Sequence, residues 1–456
     1  MEKAKMSKNF TEGSIAKMLV LFALPFMASN ALQVLYSTID MIIVGAFVGT
    51  AGLSAVSQSS QILNFATMIC LGFSNAGQVL LAQAFGAGKR RESNSIIGTL
   101  FVFISSIAIV LTALVLAGQG LVLDLIKMPS ESRDMAIDYM TICGSGLIFT
   151  AGYNMVSAVL RGMGDAKRPL LFIGIASFVN LTLDIIFTGI LGWGVAGAAW
   201  ATVIGQAASF IFSIFYLYRK REQFGFDFRR ESLVPKARYI KMICRIGAPM
   251  AIQSGFINIS MLAVNSMVNS VGVVASATFG VGVRIDDIIN KISLGIQHAT
   301  VPIISQNIGA GKQDRAQKTV HTAWVCSLAL TAVFMILYAT IGKQLFMIFS
   351  DDPAVHEMSR DFIRAILWMF PAFAFLRGSF AFIEGIGNSK FNMVLAILDG
   401  VALRIGLSWL FGTVFGLGFY GFVLGYGLAP YGSAIPGTAY FLSGRWKKRK
   451  TLAEEL

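Results

Sequence analysis

The sequence predicts an all-α integral membrane protein with twelve transmembrane helices. Of the 456 residues, 55% are hydrophobic and only 13% are charged, and the mean hydropathy is +0.69. These values are too apolar for a water-soluble surface. A membrane-spanning helix needs about 20 mostly apolar residues, because lipid offers the backbone amides no other hydrogen-bond partner. Apolar runs of this length recur along the whole chain.

Twelve runs reach the required length, and we number them as spans 1 to 12. The longest interval between them, residues 219–239, leaves no room for a soluble catalytic domain. Met1 to Thr11 is short and polar, so no removable signal peptide is expected. The spans cover residues 15–45, 52–83, 93–117, 135–160, 169–189, 194–218, 240–270, 275–305, 317–341, 359–383, 391–412 and 418–442.

Basic residues are concentrated in alternate intervals between the spans. Of the 37 Lys and Arg residues, 28 lie on one side of the predicted topology, 5 on the other, with those at the span ends included, and 4 in the interior of spans. The positive-inside rule therefore predicts a multi-pass protein of the plasma membrane with both termini in the cytoplasm. The same bias accounts for the formal charge of +13. We expect contact with anionic membrane lipids and no nucleic-acid binding.

The chain contains an internal repeat with an offset of 223 residues. Residues 69–89 match residues 292–312 at nine of twenty-one positions, and Arg161-Gly-Met-Gly aligns with Glu384-Gly-Ile-Gly. Six spans separate the copies, so the repeat predicts two parallel six-helix bundles, a division typical of carriers. The predicted lobes are an N-lobe at residues 1–220 with spans 1–6, a cytoplasmic linker at 221–238, and a C-lobe at 239–456 with spans 7–12.

Polar residues follow one face of spans 1, 4, 5 and 6 at helical spacing. An ionised carboxylate at mid-bilayer costs at least roughly 2.5 kcal/mol on insertion scales, so Asp40 and Asp184 are candidate functional residues. No Lys or Arg lies on either stripe, so the pair could hold a proton or a small cation. The alternative is a hydrogen-bond network that only packs helices. The stripes are Asn30, Gln33, Ser37 and Asp40; Thr150, Asn154 and Ser157; Ser177, Asn180, Asp184 and Thr188; and Thr202, Gln206, Ser209 and Ser213.

Other polar residues give weaker indications. Arg284, Asp287 and Lys291 in span 8 can neutralise one another, which favours a structural or gating element over direct substrate contact. Gln253 and Asn258 in span 7 are candidates for a substrate cavity. The three His and four Cys residues are scattered, so neither a metal cluster, a disulfide framework nor a catalytic site is indicated, and no cofactor is expected.

Several motifs together resemble the multidrug and toxic compound extrusion (MATE) family, and most closely its prokaryotic branch related to the DNA-damage-inducible F proteins. These motifs are Pro25 and Asp40 in span 1, Asn180-Leu-Thr-Leu-Asp184 in span 5, and Gly194-Val-Ala-Gly-Ala-Ala-Trp-Ala-Thr202 in span 6. The resemblance implies a V-shaped pair of bundles that acts as a monomer. It also implies export of small organic cations in exchange for H⁺ or Na⁺.

The resemblance further implies roles for individual residues. It assigns cation coupling, including a Na⁺ site, to Asp40, Asn180, Asp184 and Thr202. It assigns a supporting polar network to Tyr139, Asn154, Gln33 and Tyr36. It places a bend of span 1 at Pro25. Span 7 carries only amides and Glu384 stands at the end of span 10, so a second cation site in the C-lobe is not expected.

Two other functions are compatible with a polytopic membrane protein. A flippase for a lipid-linked substrate would be favoured by a strongly cationic central cavity. Only four basic residues fall in the interior of the spans, away from their ends, namely Arg284, Lys291, Arg377 and Arg404. A membrane-embedded enzyme would need a nucleophile with a base, a metal motif or a cofactor site, and the sequence indicates none of these.

Overall fold

The computed structural model describes residues 9–456, and every regular element in this range is a helix. Three segments are π-helical: Ile185–Ile190, Leu398–Leu403 and Leu410–Val414. The α-helices are α1 Ile15–Gly86, α2 Arg90–Leu125, α3 Ser130–Ser145, α4 Leu147–Gly162, α5 Lys167–Asp184, α6 Gly194–Arg219, α7 Arg221–Phe224, α8 Ala237–Asn269, α9 Val273–Gly309, α10 Gln313–Phe349, α11 Pro353–Ile366, α12 Met369–Gly385, α13 Ser389–Ile397, α14 Arg404–Trp409, α15 Gly418–Leu428, α16 Tyr431–Leu442 and α17 Leu452–Glu455.

All twelve predicted spans are helical in this structure. Spans 1 and 2 both lie in α1, which has 72 residues and a non-helical backbone at Gly49. Span 4 is α3 and α4, bent by 44°, and span 10 is α11 and α12, bent by 47°. Among the described residues, seven helices and these two bent pairs are long and apolar enough to cross a membrane. The charged helix α9 and the short pair α15 and α16 are not among them.

Packing groups the described residues into two units. The first contains Ala28–Ala251 with Asn9 and Leu456, and the second contains Phe10–Met27 and Ile252–Glu455. The start of α1 thus packs with the C-terminal spans, and the start of α8 packs with the N-terminal spans. Order along the chain does not reveal this exchange, and the predicted lobe boundaries stay a prediction.

In the first unit, the start of α8 approaches the second half of α1 at a glycine. A Cβ atom added to Gly72 would lie 2.9 Å from the backbone nitrogen of Ala251, and one added to Gly247 would lie 2.6 Å from the ring of Phe73. Both distances are too short for any residue larger than glycine. The two glycines therefore allow the helix backbones to come into close contact.

In the second unit, the start of α1 is held in the equivalent way. A Cβ atom on Gly295, the repeat counterpart of Gly72, would lie 2.4 Å from Cγ of Met27. The fully buried ring of Phe10 packs against Phe22 with centroids 4.8 Å apart. The Phe10 backbone N–H donates to Gln306 Oε1 at 3.0 Å. Glycine packing, aromatic contact and hydrogen bonding together fix this segment.

The predicted cytoplasmic linker is a packed element of the first unit. The ring of Phe226 is 1% exposed and stacks on Phe101 of α2 with centroids 5.9 Å apart. Asn94 Nδ2 donates to Ser232 Oγ at 3.0 Å, and Lys236 Nζ donates to Ser95 Oγ at 2.9 Å. Tight packing and several polar contacts therefore attach the linker to α2.

Candidate functional site

The polar face of α5 forms the centre of the candidate site in the first unit. All four residues of its predicted stripe are buried, and Asp184 has no exposed surface. The π-helical segment Ile185–Ile190 starts directly after Asp184. A π-helical turn is rare and frequently marks a functional site in a helix. The four buried residues are Ser177, Asn180, Asp184 and Thr188.

A glycine brings α6 onto this face. A Cβ atom on Gly205 would lie 2.9 Å from the carbonyl oxygen of Ala176 and 3.1 Å from Cβ of Asn180. Because Gly205 lacks that atom, the two helices approach closely enough for Asn180 Nδ2 to donate to Thr202 Oγ1 at 3.4 Å. The structure therefore brings together three of the four residues predicted for cation coupling.

The fourth residue, Asp40, completes the site from α1. The carboxyl groups of Asp40 and Asp184 lie within hydrogen-bond reach of each other. Asp40 Oδ1 and both carboxyl oxygens of Asp184 are buried without a protein donor. Within the described residues, neither carboxyl group has a Lys or Arg partner in an ion pair. Two carboxylates cannot hydrogen-bond to each other unless one carries a proton, so the pair is suited to a proton or a small cation.

The oxygens available here match the preferences of a hard monovalent cation. Two carboxyl groups, the Asn180 amide and the Thr202 hydroxyl lie on adjoining helices. Among the described residues, no three His, Cys, Asp or Glu side chains converge as a metal cluster. The donor set of oxygens suits both H⁺ and Na⁺.

The predicted supporting residues are placed unequally. Tyr36 is partly buried and close enough to both carboxyl groups to be affected by their charge. Tyr139 is buried on α3, and its hydroxyl accepts a hydrogen bond from Ser60 at 3.3 Å. Asn154 is partly buried on α4 without a hydrogen bond to the acidic pair, and Gln33 on α1 is exposed. Of these four, the two tyrosines are associated most closely with the carboxyl pair.

The remaining predicted residues lie in the second unit. Pro25 stands inside the helical part of α1 that packs there. Gln253 is partly buried on α8, whereas Asn258 is exposed. Asp287 pairs with Lys291 at 2.9 Å on the exposed face of α9, and Arg284 is exposed one turn earlier. The expected neutralisation within α9 is thus present between Asp287 and Lys291.

Some polar residues were given no functional role by the sequence analysis. Ser60 contacts Tyr139, but a serine in an apolar run carries little information by itself. In the second unit, Arg377 donates to Gln297 Oε1 at 3.2 Å and to Asn290 Oδ1. Arg404 pairs with Asp399 at 3.2 Å. For Arg377 and Arg404, the available signal in the sequence was a basic residue inside an apolar span. Burial of such a residue is costly, so it indicates a functional or paired position.

The repeat and the fold both match known proteins. The sequence pattern of the MatE family matches residues 25–186 and 249–410, one match for each copy of the repeat. The probable multidrug resistance protein YpnP of Bacillus subtilis (strain 168) is 30% identical over 450 residues, which is 98% of this chain and 99% of YpnP. The probable multidrug resistance protein NorM of Thermotoga maritima is 26% identical, covering 97% of this chain and 95% of NorM.

A solved structure agrees over the same length. It is an outward-facing multidrug resistance MATE family transporter of the MOP superfamily, and it superposes with a TM-score of 0.91 at 22% identity. The alignment covers 98% of this chain and 100% of the solved chain. Both repeats thus share their fold with that structure.

Proposed function

Since the chain belongs to the MATE family of multi-pass membrane transporters, we propose that it is a secondary active multidrug efflux antiporter. It exports small organic cations in exchange for H⁺ or Na⁺. It works in the plasma membrane with both termini in the cytoplasm, as a monomer and without a cofactor. The names of the relatives support multidrug export, and the concentration of basic residues supports the orientation.

The observation that carries the proposal is the pair of buried carboxyl groups in the first unit. Asp40 and Asp184 lie within hydrogen-bond reach of each other, and no Lys or Arg of residues 9–456 pairs with either carboxyl group. Two negative charges in this environment would repel each other and lose their hydration. A proton or Na⁺ relieves both costs, so occupancy of the site follows the ion gradient.

The position of Asp40 on α1 connects ion binding to movement. Residues 10–27 of the same helix pack in the second unit, whereas Asp40 belongs to the first. A change of side-chain packing at Asp40 therefore acts on a helix that is part of both units. Pro25 lacks a backbone N–H and is the position in this segment where bending costs least. In this mechanism, ion binding repacks α1 and releases the substrate outward, and ion release to the cytoplasm resets the transporter.

Ethidium transport in inverted membrane vesicles tests the proposal. We expect wild-type vesicles to accumulate ethidium when a proton or a sodium gradient is imposed, and Asp40→Asn and Asp184→Asn to lose most of this uptake. Each substitution keeps the side-chain volume but removes the group that binds and releases the ion. The gradient that drives wild-type uptake identifies the coupling ion.

The matched control is Asp134→Asn on α3, since Asp134 is an exposed carboxylate. Its uptake should equal that of the wild type at the same expression level. Undiminished gradient-driven uptake by both site variants would refute the coupling site. No uptake by the wild type under either gradient would refute antiport of this cation.

A further inference from the structure

The second unit contains a buried cation that the proposed coupling mechanism does not use. Arg377 on α12 is 6% exposed, and its two hydrogen-bonded nitrogens donate to the neutral side chains of Gln297 and Asn290 on α9. Its Nε atom is buried without a partner. The guanidinium also lies over the ring of Phe373, 4.9 Å from the centroid. Arg377 thus forms no ion pair in the described part of the chain.

Nearby charges do not cancel this cation. Asp399 is close enough to attract Arg377 electrostatically, but its Oδ1 already accepts from Arg404 at 3.2 Å. Both members of that pair are largely buried. Two guanidinium groups and one carboxylate leave one positive charge in excess. A buried charge without a counterion is costly, and it is rare inside a membrane span unless it has a function.

The backbone around these residues is also unusual. Asp399 lies in the π-helical segment Leu398–Leu403, and Arg404 follows that segment directly. The Arg404 guanidinium stacks over Tyr426 at 5.3 Å. Aromatic rings therefore flank both arginines and leave their nitrogen edges for hydrogen bonding.

The internal repeat indicates that this charge distinguishes the two units. Arg377 stands seven residues before Glu384, and Asn154 stands seven residues before Arg161, which aligns with Glu384. The first unit thus has a neutral amide where the second has a cation. Conversely, at the same offset of 223 residues the position of Asp40 is taken in the second unit by the apolar Ala263. Among the described residues, Arg377 is the one buried basic residue, and the second unit also buries the acids Asp286, Glu384 and Asp399.

We propose that Arg377, with Asn290 and Gln297, forms a subsite for a carboxylate group of the transported compound. This inference rests on the proposed transport function and names the residue that recognises the anionic group of a zwitterionic substrate. The planar guanidinium fork can bind a carboxylate through two parallel hydrogen bonds. The two amide side chains can exchange their contact with Arg377 for one donated to the incoming carboxylate. No covalent step is involved.

Two rhodamines provide a matched pair of probes. Rhodamine 110 carries a free carboxylate, and rhodamine 123 is its methyl ester, so the two dyes share a cationic ring system and differ in the anionic group. Binding to the purified full-length protein can be followed by fluorescence anisotropy. We expect Arg377→Gln to weaken binding of rhodamine 110 about tenfold, the loss typical of one charged hydrogen-bonded contact. Binding of rhodamine 123 should change by less than about twofold.

Further variants keep the test decisive. Arg364→Gln removes an exposed guanidinium on α11 and should leave both affinities unchanged. Arg377→Lys keeps the charge but loses the planar fork, so it should weaken rhodamine 110 selectively. If Arg377→Gln does not fold, Arg377→Lys decides, with rhodamine 123 as the internal measure of folded protein.

The outcomes separate this inference from the transport function itself. If Arg377→Gln weakens binding of both dyes equally, or leaves binding of rhodamine 110 unchanged, the carboxylate subsite is overturned. Wild-type protein that binds and transports rhodamine 123 but does not bind rhodamine 110 would overturn it as well. Failure of the wild type to transport rhodamine 123 would instead count against the proposed efflux function.

Discussion

Gly205 is the single residue that sets how closely α5 and α6 approach at the candidate site. The carbonyl oxygen of Ala176 and Cβ of Asn180 lie against the space that a Cβ atom on Gly205 would need. The contact between Asn180 and Thr202 therefore depends on a residue that has no polar group of its own. At this scale, the geometry of the site is controlled by volume as much as by charge.

The first residue-scale prediction concerns Gly205→Ala. The added methyl group would lie 2.9 Å from a carbonyl oxygen, so α6 must move away from α5. Overpacking of this kind costs about 1–3 kcal/mol. We expect a lower apparent melting temperature in detergent, together with reduced gradient-driven ethidium uptake. Gly174→Ala on α5 is the control, because a Cβ there meets nothing within 4 Å. Equal melting temperatures for the two variants would contradict the prediction.

Sequence could predict part of the site and not the rest. Asn180 and Asp184 are four residues apart on one helix face, so their proximity follows from helical periodicity alone. The pairing of Asp184 with Asp40 depends on how α1 packs, and the bond from Ser60 to Tyr139 depends on α3. The contact of Arg377 with two amides on α9 is equally non-local. Spacing within one helix carries no information on such contacts.

At the scale of elements, the packing of the predicted linker is a feature that the sequence does not indicate. Within residues 221–238, Phe226 is buried against α2 and Ser232 accepts a hydrogen bond from Asn94. A Cβ atom on Gly98 would lie only 1.7 Å from the carbonyl oxygen of Ser232. The 3₁₀ turn Arg230–Leu233 is thus seated directly on the α2 backbone.

This seating gives a prediction for Gly98→Ala. The methyl group cannot be accommodated without moving the Ser232 turn, so we expect faster tryptic cleavage at the exposed Arg229 and Arg230. Gly118→Ala lies on the same helix, where a Cβ meets nothing within 4 Å. It should be cleaved at the wild-type rate. Identical cleavage of all three proteins would show that the linker does not depend on this contact.

The helices themselves were predictable because the bilayer sets a minimum apolar length. The positions of the bends and π-helical segments within them were not predictable from the sequence. The bend between α3 and α4 falls at Gly146, where a Cβ would lie 2.6 Å from Val203 of α6, so it reflects tertiary packing. The π-helical segments after Asp184 and around Asp399 have no marker in composition. Local propensity specifies the elements, and packing between elements specifies their irregularities.

At the scale of the whole molecule, the carboxyl pair bears on the energetics of transport. Two adjacent carboxyl groups titrate as a pair in two separated steps. In the proposed proton antiport, the site therefore exchanges one proton within one range of pH, although it contains two acids. Exchange of one proton for one monovalent cation moves no net charge across the membrane. The driving force is then the pH gradient alone, about 1.4 kcal/mol per unit.

If protons drive transport, we expect ethidium uptake into vesicles to follow the pH gradient and to be insensitive to membrane potential. The potential can be set with potassium and valinomycin at a fixed pH gradient. Exchange of a second proton would add roughly 2.3 kcal/mol per 100 mV. Uptake that rises steeply with the potential would therefore contradict exchange of a single proton.

The reciprocal packing of α1 and α8 has a consequence for biosynthesis. The first unit includes residues up to Ala251, and the second includes residues from Phe10. Neither unit consists of one continuous half of the chain, so the six N-terminal spans leave the ribosome without the segment that completes their packing. Gly72 can contact Ala251 only after the seventh span has been synthesised. Residues Phe10 to Met27 can contact α9 only after the eighth span has been synthesised. A gene fragment encoding only one repeat therefore supplies neither complete unit.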